Sequence, residues 1–224
     1  GLNRYDWYKD FSGLNANFGF LWNPTPMITI GGVFKAPFRA SVEHEYSIKS
    51  WQYYPQLGRE VRDSVRGRED MKIDMPMSYG LGAALRLSDA FTVALDVYRT
   101  EWSDFMFINE EGEKFCPVDG RPEEESDTRA TTQVRAGMEY LFILPKTVIP
   151  VRAGVFYDPE PSYKNPEDFF GFSLGTGVTV GRFVLDAAYI YRWGNDVEGD
   201  VLGIPNTSAD VRQQIFLASV IVHF

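Results

Sequence analysis

A chain of 224 residues with 31 acidic against 22 basic side chains and a net charge of −9 has the wrong sign for nucleic acid, which selects basic stripes. Its mean hydropathy is −0.24 and no stretch approaches about 18 consecutive apolar residues, which excludes a membrane-spanning helix. A β-barrel stays open, because its strands hide alternate residues in a lumen and so average out polar.

Residues 1–12, containing Arg4-Tyr5-Asp6-Trp7-Tyr8-Lys9, read as the end of an external loop or an extra strand. Period-two segments bounded by turn chemistry then fall at roughly 13–23, 27–43, 71–87, 91–105, 132–143, 147–157, 168–180, 183–193 and 213–224, nine strands in all. Asn23-Pro24-Thr25-Pro26, Ser88-Asp89-Ala90, Leu144-Pro145-Lys146 and Gly181-Arg182 are tight connections. The connections at about 44–70, 106–131, 158–167 and 194–212 are long and rich in Asp, Glu, Pro, Gly and Asn. Short turns on one rim and long loops on the other form the outer-membrane arrangement, with the short side periplasmic. The lone cysteine, Cys116, has no internal disulfide partner and falls in a long external connection. No signal peptide precedes the strands, and an exported barrel carries one, so the chain reads as starting inside its native sequence.

The last strand alternates apolar residues back from Phe224 to Phe216, as a closing strand in lipid would. If Phe224 points outward, Phe183, Leu185, Ala187, Tyr189, Tyr191 and Trp193 face lipid, and Val184, Asp186, Ala188, Ile190 and Arg192 face the lumen. Val134, Ala136, Met138, Tyr140 and Phe142 likewise oppose Gln133, Arg135, Gly137 and Glu139, and Tyr79, Leu81, Ala83 and Leu85 oppose Gly80, Gly82, Ala84 and Arg86. Trp22, Tyr140, Phe142 and Phe183 fall near the short-turn rim and Tyr157, Tyr191 and Trp193 near the loop rim, as two aromatic girdles require. Inward glycines (Gly80, Gly82, Gly137, Gly154, Gly171, Gly175, Gly177) mean curvature, or room for a plug or ligand. The reading is an all-β, antiparallel transmembrane β-barrel of the outer-membrane type, one domain over 1–224.

The lumen is expected to hold Lys35, Arg39, Lys72, Asp74, Arg86, Asp96, Arg135, Glu139, Arg152, Asp186 and Arg192. Buried charges persist when paired, so Arg135, Glu139, Arg152 and Asp96 are expected to form ladders between strands. Capture of a carboxylate needs an arginine or lysine fork, which Arg135, Arg152 or Arg39 could supply. Inward Phe156, Val33, Ile190, Ile215, Leu217 and Ile221 favour an apolar route over a water-filled pore. The connection 44–70 carries Tyr46, Trp51, Tyr53, Tyr54 and Leu57, then Arg59, Arg62, Arg66 and Arg68. Rings followed by guanidinium groups suit an amphipathic ligand, and the plainer reading is attraction to anionic lipopolysaccharide. His44 and His223 lie at opposite strand ends, and there is no Gly-x-Ser-x-Gly, phosphate loop or metal-spaced Cys/His cluster, so no enzyme, metal or cofactor is expected. The carboxylate runs Glu110-Glu111 and Glu123 to Asp127 read as solvated loop faces.

The stretch from Met75 to Phe105, with Pro76-Met77-Ser78, a short turn, and a strand ending Thr100-Glu101-Trp102-Ser103-Asp104-Phe105, resembles the FadL/TodX outer-membrane transport family. Asn17-Phe18-Gly19-Phe20-Leu21-Trp22-Asn23-Pro24 and the run from Val151-Arg152-Ala153-Gly154 to Pro161 are similar to further family segments, and the resemblance extends from about residue 13 to 224. It implies part of a 14-stranded barrel, seen here as nine or ten strands, whose N-terminal hatch and first strands lie outside this C-terminal portion. Nine antiparallel strands cannot close uniformly, since the first and last run the same way. The implied function is passive uptake of long-chain fatty acids or aromatic hydrocarbons across the outer membrane of a Gram-negative bacterium, with the 44–70 loop helping to form an external hydrophobic groove. Expected partners are outer-membrane lipid and lipopolysaccharide, a hydrophobic ligand or detergent, and the barrel-assembly machinery through the last strand. The rival is a structural or receptor-like barrel that transports nothing; a soluble lipid-binding barrel is contradicted by the aromatic exterior.

Overall fold

The computed structural model describes residues 1–199 and 207–223; Phe224, from which the facing is reckoned, and the side chain of Leu57 lie outside the described residues. The strands are β1 (Leu2–Gly13), β2 (Asn17–Thr25), β3 (Ile28–Lys35), β4 (Phe38–Tyr54), β5 (Arg59–Met75), β6 (Ser78–Arg86), β7 (Phe91–Thr100), β8 (Met106–Ile108) and β9 (Lys114–Phe115). They continue with β10 (Thr131–Leu144), β11 (Thr147–Tyr157), β12 (Phe169–Val180), β13 (Phe183–Gly199) and β14 (Thr207–Val222). A nine-stranded antiparallel sheet, here called the wall, runs β14-β13-β12-β11-β10-β7-β6-β3-β2, and a second sheet runs β1-β4-β5-β8-β9. The wall's edges are β2 and β14, and among the described residues neither takes a further strand.

Two prolines explain why there are two sheets. The expected single strands 27–43 and 71–87 are each broken, at Ala36-Pro37 and at Pro76-Met77. The breaks lie level, since Lys35 pairs with Ser78 below them and Phe38 with Met75 above. Proline offers no N–H to a ladder, so adjacent prolines interrupt both strands together while the register carries on unchanged. Leu14-Asn15-Ala16 breaks β1 from β2 at the same level, where the Ala36 N–H donates to the Ala16 carbonyl at 3.0 Å.

Above that line the structure corrects the expected loop 44–70, which is a hairpin paired without interruption from Phe38–Met75 to Tyr54–Arg59. Its tip is a 3-10 turn, Pro55–Leu57, closed by Gly58 at φ 56, a left-handed conformation that glycine adopts without strain. Charged side chains resemble loop chemistry, yet here they alternate with Ile48, Val61 and Val65 and pair across strands, as in Arg68–Glu43. Residues 1–12 do form a strand, but β1 adds to this projecting sheet rather than to the wall. Three boundaries also move. The strand expected over 91–105 ends at Thr100, the first tight turn is Pro26-Met27, and β13 with β14 extends pairing to Gly199–Thr207 within the expected loop 194–212.

The packed core sits above the proline breaks, where Val42, Met71 and Ile73 are buried against Met75, Phe105, Phe107 and Phe115. Cys116 is fully buried beside it, its Sγ 3.4 Å from Thr128 Oγ1. The wall has no such core. Leu81, Met138, Phe142, Leu174 and Phe216 share its outer face and are each at least half exposed, a continuous apolar surface of the kind that meets lipid. Tyr157, Phe170 and Trp193 are successive partners across β11, β12 and β13 on that face, with ring centroids 5.2 and 6.2 Å apart. Phe91, Tyr140 and Phe142 mark the opposite rim, so both expected girdles are present.

Candidate functional site

Antiparallel pairing sets the lumen-facing residues of the wall in rows. One row runs Gly82–Asp96–Arg135–Phe156–Gly171–Arg192 across β6, β7, β10, β11, β12 and β13. The next row toward the tight turns is small from β6 to β12, through Ala84, Ala94, Gly137, Gly154 and Ser173, and ends on Ile190 of β13. Beyond it comes the charged trio of Glu139, Arg152 and Asp186. A groove of about 670 Å³ is lined by Gly31, Gly80, Ala84 and Ala94, with Tyr98 and Arg135 at its polar side.

The glycines make room as well as curvature. A Cβ at Gly82 would lie 2.0 Å from Asp96 Oδ1, one at Gly177 2.4 Å from Asp186 Oδ1, and one at Gly171 2.1 Å from Phe156 Cζ. Each missing side chain lets its neighbour lie flat across the adjacent strand instead of standing into the lumen. This close approach is the usual meaning of a glycine inside a strand.

The three arginines proposed for carboxylate capture separate cleanly. Arg152 donates to Glu139 Oε2 at 2.7 Å and to Asp186 Oδ1 at 2.9 Å, reaching over β12 where Gly175 and Gly177 leave space. Arg39 is corrected out of the lumen wall: it stands in β4 above the proline breaks and grips Asp74 through two hydrogen bonds of 2.5 and 2.6 Å. Arg135 donates to Gln133 Oε1 at 2.9 Å, and among the described residues it makes no ion pair. The expected Arg135–Asp96 rung is therefore absent although the two residues are strand partners, because Asp96 lies over Gly82 on the other side. Of the nominated forks, Arg135 alone is left for an incoming anion.

The aromatic–arginine cluster is divided between two faces of the projecting hairpin. Trp51 pairs with Arg62 and Tyr53 with Glu60 on one face, while Tyr54 pairs with Arg59 on the other; the side chain of Leu57 lies outside the described residues. A second surface, missed in the sequence, is built by β1. Tyr5 and Trp7 stack with centroids 6.0 Å apart at 14°, opposite Arg66 and Arg68 across Ser47 and Glu45. The groove between them measures about 730 Å³. Arg68 is held by Glu43 and Lys9 by Glu45, whereas Arg66 and Lys49 have no ion pair among the described residues. Alternation of Tyr5 and Trp7 was the available signal, and it needed a partner strand to mean anything.

His44 is buried where three strands meet. Its Nε2 lies 2.8 Å from Asp6 Oδ1 and its Nδ1 2.8 Å from Glu69 Oε1, and the Tyr8 ring stacks on it at 4.7 Å. Hydrogen bonds from the Arg4 guanidinium first, and His44 second, hold the Asp6 carboxyl below its usual range. The Lys9 ammonium does the same for Glu45. No group of three or more His, Cys, Asp or Glu side chains is placed to hold a metal among the described residues.

Comparison with known proteins agrees with this architecture. The sequence model of a family described as outer membrane protein transport protein (OMPP1/FadL/TodX) matches residues 8–210. Curated proteins give no match. Among solved structures the chain is similar to the CymD monoaromatic hydrocarbon channel, at 19% identity and a TM-score of 0.60, over 95% of this chain and 51% of that one. The chain thus spans about half the length of that structure, and at this identity the likeness is one of fold.

Proposed function

Because this chain belongs to the FadL/TodX family of outer-membrane transport proteins, we propose that it serves the passive uptake of hydrophobic compounds such as long-chain fatty acids or aromatic hydrocarbons across a Gram-negative outer membrane. The observation that carries the proposal is the lumen-face groove. An apolar body would lie on Ala84 and Ala94 in this groove, or on Gly137, Gly154 and Phe156 in the cavity next to it, and a polar end would meet Arg135, which lines both and makes no ion pair among the described residues. On the projecting sheet, the Tyr5–Trp7 shelf facing Arg66 and Lys49 offers an external landing surface with the same amphipathic logic. Trp51 with Arg62, on the neighbouring groove, extends it. These cations also attract lipopolysaccharide phosphates, and β14 presents its edge to the barrel-assembly machinery.

Uptake of a labelled long-chain fatty acid and of a neutral aromatic hydrocarbon, in cells making the protein or its variants, tests this reading. Arg135→Gln is expected to slow fatty-acid uptake about ten-fold, the scale of one charge-assisted hydrogen bond, and to leave hydrocarbon uptake unchanged. Replacing residues 44–70 by a short turn is expected to lower both. Uptake no faster than in cells lacking the protein sinks transport and leaves a receptor-like barrel, a reading that the size of the projecting sheet favours.

A further inference from the structure

Arg192 closes the upper lumen row, and its partners differ in kind from those of Arg152. Where Arg152 is held by carboxylates of the wall, Arg192 is held by the connection 158–168. Its Nη2 donates to the Asp158 carbonyl at 3.2 Å and lies 2.7 Å from Glu160 Oε1, and its Nε is 3.4 Å from Asp158 Oδ2, with no hydrogen-bond partner among the described residues. Beneath it the guanidinium carbon stands 3.7 Å from the centroid of Phe169, a ring only 2% exposed. A lumen-facing arginine thus holds the start of this connection on the lumen side, in the row that runs through Gly171 and Phe156 to Arg135.

Nor is the connection a loose loop. Glu160 and Glu167 exchange backbone hydrogen bonds of 2.9 and 2.8 Å, and the Lys164 N–H donates to the Asp127 carbonyl at 3.0 Å. The Tyr163 ring lies 3.9 Å from the Arg121 guanidinium, and Arg129 donates to Asn165 at 3.3 Å. Both Arg121 and Arg129 belong to the 101–130 connection, whose Phe105, Phe107 and Phe115 pack on the hairpin core. The two long connections form one interlocked cap, and Arg192 is its attachment to the lumen side of β13.

We infer that Arg192 is a positioning residue for transport, which latches the 158–168 connection to the lumen side of the wall at its loop rim. The inference rests on the channel reading for its consequence but not for its geometry, and the two are tested separately. Lys164 is the single tryptic site within 158–168, and cleavage there requires the segment to unfold locally. In the full protein in detergent, Arg192→Gln and Glu160→Gln are expected to speed cleavage after Lys164 by about ten-fold or more, while the heat-dependent gel shift of the barrel is kept. Arg192→Lys, which keeps a cation against Glu160 and Asp158, should be cleaved more slowly than Arg192→Gln. In cells, Arg192→Gln should raise entry of a small hydrophilic dye several-fold. Unchanged cleavage in both single variants, or faster cleavage without added dye entry, overturns the latch. Should Arg192→Gln fail to assemble, Glu160→Gln on the connection itself still decides. Absence of hydrophobic uptake with accelerated cleavage would strike the channel reading alone.

Discussion

Arg135 and Arg152 are two positions on one small lumen surface, and their partners divide their work. Arg152 is saturated by Glu139 and Asp186, and that reach depends on the space over Gly175 and Gly177. A Cβ at Gly177 would meet Asp186 Oδ1 at 2.4 Å and the Leu185 carbonyl oxygen at 2.8 Å. The carboxylate can swing away but the backbone oxygen cannot. Gly177→Val is therefore expected to break the Arg152–Asp186 pair and to cost about 1–3 kcal/mol by overpacking. A lower temperature for the heat-dependent gel shift checks it, with Gly137→Ala as the mild control, since a Cβ there finds its nearest atom at 3.5 Å.

At the scale of elements, the projecting sheet stands on polar pairs that span strands, and its pH response follows from them. Asp6 and Glu45 are both held below the usual carboxylate range. A carboxylate depressed in the folded state stabilises it above the ordinary value of about 4, and that contribution is lost as pH falls through the lowered folded value. Amide protection of β1, corrected for intrinsic exchange, should therefore hold level from neutral pH down to about 4.5 and fall only below about 4. Loss of protection already near pH 6 would mean that these pairs do not hold β1 in place.

For the whole molecule, the decisive question is which face of the wall meets lipid. Leu174 and Ser173 are chain neighbours on opposite faces of β12, both in mid-strand. Leu174→Arg should destabilise the barrel in lipid vesicles by about 2–4 kcal/mol, while Ser173→Arg, entering the lumen, should stay within about 1 kcal/mol. Denaturant unfolding in vesicles reads both, and equal costs would contradict the assigned facing. The same alternation made much of the wall legible in advance. The nine-strand order, three of the four tight turns, the girdles and the common face of Arg135, Arg152 and Phe156 follow from period-two patterning, which is a local property of the pleat.

What the sequence determined by itself is what repeats locally: strand identity, facing, turn sites and the family resemblance. What only tertiary structure decided depends on which strands lie side by side. That Pro37 and Pro76 fall level and fold one sheet into two, that residues 1–12 stack Tyr5 and Trp7 against a hairpin taken for a loop, and that Asp96 turns toward Gly82 and away from Arg135 are all matters of register. Register is set by contacts between residues tens of positions apart, and alternation within a single strand carries no record of its neighbours.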